Sequence, residues 1–300
     1  MNENLAPIAV FAYKRPEHLK KALDSLSKCA LSKQSTVYIF CDGPKSNKDQ
    51  DAIQQTRAIA KSQDWSKELH IVEQPANLGL SRSISAGVTM LCEKYGKVIV
   101  VEDDLEVSPS FLEYMNKALA LYDKDERVME ISGYMYPVET SGQDDAFFMM
   151  HASCWGWGTW QRAWKHFGSD PAQLERLEKD RKYRYNFDID GTYPYFKMLQ
   201  KQASGEIDSW GVLWYLTIFK LQGLVLMPRK TLVKNIGQDG SGTNVSKLMF
   251  NDKLEDFKVT NFPSVAPDVS AYKVFRNYIF KNYVPWYRKL FRLETYFLKS

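Results

Sequence analysis

The chain is short of the residues that mark several common chemistries. Its four cysteines (Cys29, Cys41, Cys92, Cys154) show no C-x-x-C or Cys/His spacing. That excludes a thiolate zinc site and a disulfide framework, and makes a reducing compartment the default. The four histidines are equally scattered, so no imidazole-based metal centre is indicated. No G-x-G-x-x-G follows the first apolar run and no G-x-x-x-x-G-K-[ST] occurs anywhere, which removes the usual dinucleotide and P-loop fingerprints. Neither sign of charge dominates: 40 Lys+Arg against 36 Asp+Glu leave +4, too little on its own to imply nucleic acid. The most apolar late stretch, GVLWYLTIFKLQGLVLMP, is broken by Lys220 and Gln222 and is too short for a clean membrane span. The first residues show no basic region followed by an apolar core, so no signal peptide is read there. The expectation is a cytoplasmic protein without internal repeats.

What remains is an ordinary globular composition in 300 residues, enough for one large domain or two fused lobes. PIAVFAY (7–13) reads as a strand, and Pro16 opens a helix with Leu19, Ala22, Leu23 and Leu26 on one face. TVYIFC (36–41) is a second strand, closed by the turn Asp42-Gly43-Pro44. Residues 49–61 read as a helix, LHIVE (69–73) as a strand, and LSRSISAGVTMLCEKYG as a helix that stops at Gly96. Residues 97–101 form a fourth strand, and Ser108-Pro109 reads as the N-cap and first position of the next helix. This alternation over residues 5–125 predicts a doubly wound, mostly parallel α/β sheet. Ligands bind such sheets beyond the carboxyl ends of the strands, where KRP, CDGP and EDD all fall. Beyond residue 127, VMEISGYM and AFFMMHA read as strands. CWGWGTWQRAW reads as an aromatic, glycine-broken loop leading into a helix, and 170–205 is helical in character. Three segments follow: an α/β lobe over 1–126, a second lobe of the same domain over 127–262 that would meet whatever the sheet's ligand reacts with, and a basic aromatic tail over 263–300.

The stretch VIVVEDDLEV poses the chemical question. Four apolar residues run into Glu102, Asp103 and Asp104, and such carboxylates repel one another and are costly to desolvate. One reading is a hard divalent cation, Mg²⁺ or Mn²⁺, held by carboxylate oxygen with waters and substrate phosphates completing its shell. The other is an exposed acidic turn ahead of a helix, favoured by the macrodipole.

VIVVEDDLEVSPSFLEYM resembles the metal-binding segment of GT-A glycosyltransferases related to N-acetylglucosaminyltransferase I. PIAVFAYKRPEHLKKALDSL, NLGLSRSISAGV and HASCWGWGTWQRAW resemble segments of bacterial family-2-type sugar transferases. The likeness runs densely through the first lobe and in patches to about residue 245. It implies the GT-A fold, a Mn²⁺ or Mg²⁺ cofactor and a UDP-sugar donor. Asp104 would be the metal ligand, with Glu102 and Asp103 on the donor's ribose, sugar or metal-bound water. Asp42 would accept from the uracil N–H, and is equally an Asp-Gly turn residue. Tyr13 and Arg15 would lie beside the nucleotide, Arg82 near the diphosphate, and Trp157 near the donor sugar, although Trp also packs cores. EIDSW resembles the acid-acid-Trp segment that carries the base, which points to Asp208 first and Glu206 second. A single displacement of this kind inverts the anomeric centre. The implied role is transfer of a hexose or N-acetylhexosamine to a glycan or lipid-linked acceptor in bacterial surface polysaccharide synthesis. The competing classes are a non-catalytic nucleotide-sugar or glycan-binding protein and a nucleotidyltransferase, although AYKRPEHLKK lacks the glycines of the latter.

Two segments stay open at this stage. GQDGSGT (237–243) has the glycine content of a lid over a nucleotide, or of a plain surface loop. In the tail, seven cations face Glu294 alone over 271–300 with aromatics between them, the composition of an interfacial segment at the inner face of a membrane. A helix strapped across the catalytic lobe fits the same composition.

Overall fold

A computed structural model of the protein describes residues 5–237, 239, 254 and 256–284. The first half builds the expected alternation: β1 (Ile8–Ala12), α1 (Pro16–Ser27), β2 (Thr36–Cys41), α2 (Gln50–Lys61), β3 (Glu68–Glu73), α3 (Leu80–Tyr95) and β4 (Lys97–Glu102). Leu19, Ala22, Leu23 and Leu26 are the buried face of α1, with Pro16 in its first turn. Gly96 ends α3 in the left-handed region at φ 77°, a conformation glycine adopts without a Cβ penalty. Along β1 and β4 the side chains alternate between two cores. Ile8, Val10, Ile99 and Val101 join the layer under α1, while Ala9, Phe11, Val98 and Val100 join the layer under α3. Both faces are therefore covered, as a parallel sheet requires.

The remaining elements are β5 (Leu105–Val107), α4 (Phe111–Leu121), β6 (Val128–Ser132), β7 (Ala146–Met149), β8 (Trp157–Trp160), α5 (Gln161–Trp164), α6 (Pro171–Lys179), α7 (Arg181–Phe187), α8 (Tyr195–Ala203), α9 (Trp210–Lys220), β9 (Leu224–Pro228), β10 (Val233–Asn235) and α10 (Val269–Tyr283). Eight strands make one sheet in the order β3-β2-β1-β4-β8-β6-β9-β7, and β5 pairs with β10 in a separate ribbon. The pairings β1–β2, β1–β4, β2–β3 and β6–β9 are parallel. Those of β8 with β4 and β6, and of β7 with β9, are antiparallel. The expected mixed α/β architecture with a mostly parallel central sheet is present.

Two local expectations are corrected. Residues 157–160, read as a loop, form β8 in the middle of the sheet. Its Gly158 allows α4 to approach: a Cβ there would meet Met115 Cε at 2.9 Å and the Val98 carbonyl oxygen at 3.0 Å. The helix expected to start at Ser108 starts at Phe111. Val107 still pairs with Val233 and Ser108 N–H donates to the Leu232 carbonyl at 2.9 Å, so the chain stays extended and turns only afterwards. Ser110 then stands at the N-cap, but its hydroxyl donates to the Phe257 carbonyl at 2.6 Å rather than capping.

The described part of the tail packs. Asp268 caps α10 by accepting from Ala271 N–H at 2.9 Å, and Ala271, Phe275 and Ile279 are its buried row. Residues 285–300, and all of the 237–243 loop except Gly237 and Asp239, lie outside the described residues. Among the described residues, no helix is long and apolar enough to cross a membrane.

Candidate functional site

Chain order reverses between β1 and β4: β2 and β3 build outward on one side of β1, and β4 lies on the other. Such a switch point leaves a crevice beyond the carboxyl ends of the two strands. Tyr13, Lys14 and Arg15 follow β1 there, and Glu102, Asp103 and Asp104 end β4. Backbone register ties the two runs together. Asp103 N–H donates to the Phe11 carbonyl at 2.9 Å, and Tyr13 N–H donates to Asp103 Oδ2 at 3.0 Å.

Arg15 closes the cluster. Its Nη1 donates to Asp104 Oδ2 at 3.0 Å and its Nη2 to Asp103 Oδ1. The Arg15 side chain is 18% exposed, Asp103 3% and Asp104 15%, so this fork is largely withdrawn from water, where charge-assisted bonds are strongest. Burial alone would lower the guanidinium pKa, but the charges of Asp103 and Asp104 outweigh it and raise it. Burial pushes the Asp103 carboxyl up to about 6 against the opposing charge of Arg15. Glu102 is raised well above the usual carboxylate range by burial, then by Asp104 and Asp103. Glu102 continues the row of Val98 and Val100 and so belongs to the α3 and α9 side.

Asp42 organises the turn into α3. Its Oδ1 accepts from Gly43 and Leu78 N–H, both at 2.8 Å, and its Oδ2 from Asn77 Nδ2 at 2.9 Å and Gly79 N–H at 3.1 Å. Gly79 takes φ 82° and lies against the second acid: a Cβ there would sit 3.1 Å from Asp208 Oδ2. Asp208 is exposed, and its one hydrogen bond among those seen is from Ser81 N–H at 3.4 Å, long enough to hold it only weakly. Asp42 and Asp208 thus flank the same glycine at the rim of the sheet. Tyr13, Arg15, Asp103 and Asp104 form one network beside them.

Three of the sequence-derived residues do not join. Arg82 lies on the outer side of α3, lining a shallow groove with Ser85, Thr89 and Glu93. Glu206 is exposed and paired with Lys201. Trp157 is fully buried and stacks on Trp210 at 5.1 Å, with Trp164 and Trp214 around it. The expected contact of Trp157 with a donor sugar is therefore corrected: β8 turns this indole into the core under α9, where it offers no surface to a ligand.

Sequence reasoning missed two contributors. Asp49 accepts from Tyr13 Oη at 3.1 Å and from Lys14 Nζ at 2.8 Å, and the lysine hydrogen bond lowers its carboxyl to about 2. The signal was present as Ser46-x-x-Asp49, which forms a capping box. The second is the contact of Gly237, first residue of the glycine-rich segment already singled out, with the acids: a Cβ there would lie 2.2 Å from Asp104 Oδ2, and the neighbouring Ile236 N–H donates to the Asp104 carbonyl at 2.8 Å. No sequence pattern reveals that approach.

Among the described residues, no three Asp, Glu, His or Cys side chains converge to hold a metal ion. Asp103 and Asp104 nevertheless share one cationic group, the Arg15 fork, and Gly237 brings backbone, with no side chain of its own, against Asp104 Oδ2. One or two carboxylates completed by water and substrate phosphates are the usual protein share of a Mg²⁺ or Mn²⁺ site. The donor set suits such an ion and would not form an all-protein cage.

The GNT-I family model matches residues 1–148, the part of the chain that carries Tyr13, Arg15, Asp42 and the three acids. An α-1,3-mannosyl-glycoprotein 2-β-N-acetylglucosaminyltransferase of Arabidopsis thaliana is 22% identical over 138 residues, 43% of this chain and 31% of the relative. The chain thus spans about a third of the length of the curated relative it matches. Among solved structures, the Pyrobaculum calidifontis mannosyltransferase PcManGT with GDP-Man and Mn²⁺ is 16% identical, covering 44% of this chain and 36% of that one, at a TM-score of 0.33. The S. aureus TarS 1–349 structure is 14% identical, covering 58% and 54%, at 0.37. The first half of the chain is similar to glycosyltransferases of the GNT-I family.

Proposed function

We propose that this chain is a metal-dependent, inverting glycosyltransferase of the GT-A kind. It moves a hexose or N-acetylhexosamine from a UDP-sugar to a glycan or lipid-linked acceptor in bacterial surface polysaccharide synthesis. The observation that carries this reading is the meeting of Arg15 with Asp103 and Asp104 at the β1–β4 switch point, on the segment that the GNT-I family model matches. Asp104 would hold a Mn²⁺ or Mg²⁺ ion, with Glu102 and Asp103 on the donor or on metal-bound water. When bound, the ion supplies Lewis-acid stabilisation to a departing diphosphate.

The chain's own residues do the rest. Asp42 and Tyr13 frame the nucleotide beside β2 and β1. Arg15 adds positive charge at the diphosphate. Asp208 takes the proton from the acceptor hydroxyl, its weak bond to Ser81 N–H leaving it able to turn. The location that goes with such an acceptor is the cytoplasm, peripheral to the inner face of the membrane.

A thermal-shift panel of UDP, GDP, CDP and dTDP, with and without Mn²⁺, tests the donor class. Stabilisation by UDP with metal alone is expected, and equal response to all four nucleotides would refute it. Asp208→Asn should retain that stabilisation and lose transfer. The second reading is a nucleotide-sugar-binding protein without turnover, in which Glu206 stays paired with Lys201. Donor binding without transfer in the wild-type chain would select it.

A further inference from the structure

Arg15 does something in this structure that a diphosphate-binding residue need not do. It spends both terminal nitrogens on the acidic cluster, bonding Oδ2 of Asp104, the proposed metal ligand, and Oδ1 of Asp103 together. The Gly237 backbone packs against the same Asp104 Oδ2: a Cβ there would stand 2.2 Å from it. The carboxylate that would ligate the ion on the reading above is thus already held by a guanidinium. The acids cannot do without a counter-charge: Asp103 is 3% exposed, and an unpaired carboxylate there would be strongly disfavoured. Tyr13 N–H satisfies the other oxygen of Asp103, so that carboxylate keeps its place when the guanidinium leaves.

We propose that Arg15 is the resident counter-cation of the acidic cluster, that it and a divalent cation are alternative partners for Asp104, and that the arriving ion frees the guanidinium to meet the nucleoside diphosphate. This rests on the metal-dependent reading given above. It explains why one arginine is placed between acids and nucleotide: the same charge guards the cluster when the ion is away and serves the substrate when it is present. It also makes ion and diphosphate cooperative. The ion alone must displace Arg15, whereas ion and diphosphate together give the guanidinium somewhere to go.

Mn²⁺ binding to the full chain, followed by electron paramagnetic resonance at mildly alkaline pH, separates the two claims. Arg15→Gln should bind Mn²⁺ without nucleotide roughly tenfold more tightly than wild type, because one opposing unit charge is gone. With Mn²⁺ present the same variant should bind UDP more weakly, so the two affinities move in opposite directions. Arg15→Lys, a point charge that cannot fork, should fall between them. Circular dichroism checks that the variants fold. If they do not, Nε–H resonances of ¹⁵N-arginine-labelled wild type report instead: Mg²⁺ should shift the Arg15 signal and leave the other arginines in place. Mn²⁺ affinity unchanged or weakened in Arg15→Gln, or an Arg15 signal indifferent to Mg²⁺, overturns the counter-cation role alone. Absence of Mn²⁺ binding with or without UDP overturns the metal-dependent reading along with it.

Discussion

A Cβ added at Gly237 would stand 2.2 Å from Asp104 Oδ2, and that oxygen is already fixed by Arg15 at 3.0 Å. Gly237→Ala must therefore push Asp104 out of the guanidinium fork. It should lower Mn²⁺-dependent UDP binding by about tenfold, roughly the worth of one charge-assisted bond, as measured by calorimetry. Trp157 carries the opposite expectation. With its ring enclosed among three other indoles, Trp157→Ala should cost about 3–5 kcal/mol in urea unfolding. A retained UDP affinity in the folded fraction would separate its packing role from any place in the site. The two positions show what a linear text discloses at this scale. Aspartates and arginines at strand ends are visible because their polarity contradicts the apolar run before them. A glycine chosen for close approach, or a tryptophan turned inward, looks the same in sequence as one that is not.

Among the elements, α3 depends on a single buried acid at its entry. Asp42 accepts from three backbone N–H groups and the Asn77 amide, so Asp42→Ala leaves several donors without their partner. A loss of about 2–4 kcal/mol is expected from chemical denaturation, with protease sensitivity appearing first near 77–80. The elements of the first half were legible because their periods are clean. The continuous apolar runs of β1 and β4, buried on both faces, and the i, i+3, i+4, i+7 row of α1 match the observed cores. β8 was hidden because Gly156, Gly158 and three tryptophans resemble loop chemistry; only the neighbours that enclose them make them a strand. The start of α4 was misplaced for a related reason. Ser108-Pro109 is a sound local helix signal, overridden by the ribbon that β5 makes with β10.

At the scale of the whole molecule, burial of polar groups on the α9 side sets how stability responds to pH. Burial pushes the Glu130 carboxyl up to about 8, while Ser153 N–H and Trp214 Nε1 bond to it at 2.9 and 2.6 Å. The folded chain therefore holds a proton that the unfolded chain releases at about 4.5. The stability this contributes is full below about pH 4.5 and lost as pH rises through about 8. Glu130→Gln should flatten that decline in melting temperature. His151, held down to about 3 by burial and with neither ring nitrogen bonded among the described residues, works in the other sense. Its contribution is present above the ordinary value of 6.5 and lost as pH falls toward 3.

The antiparallel seat of β8 has one more implication. Val98, Ile99 and Val100 of the strand that bears the acids are hydrogen-bonded on one flank only by residues from the far half of the polypeptide. A gene truncated after residue 126 would therefore deliver the nucleotide-binding motifs with a raw, greasy border along β4, an invitation to self-association. Such a fragment should collect in inclusion bodies. Co-expression with the complementary piece should return it to solution, since the two halves are stitched by a shared seam rather than joined as beads.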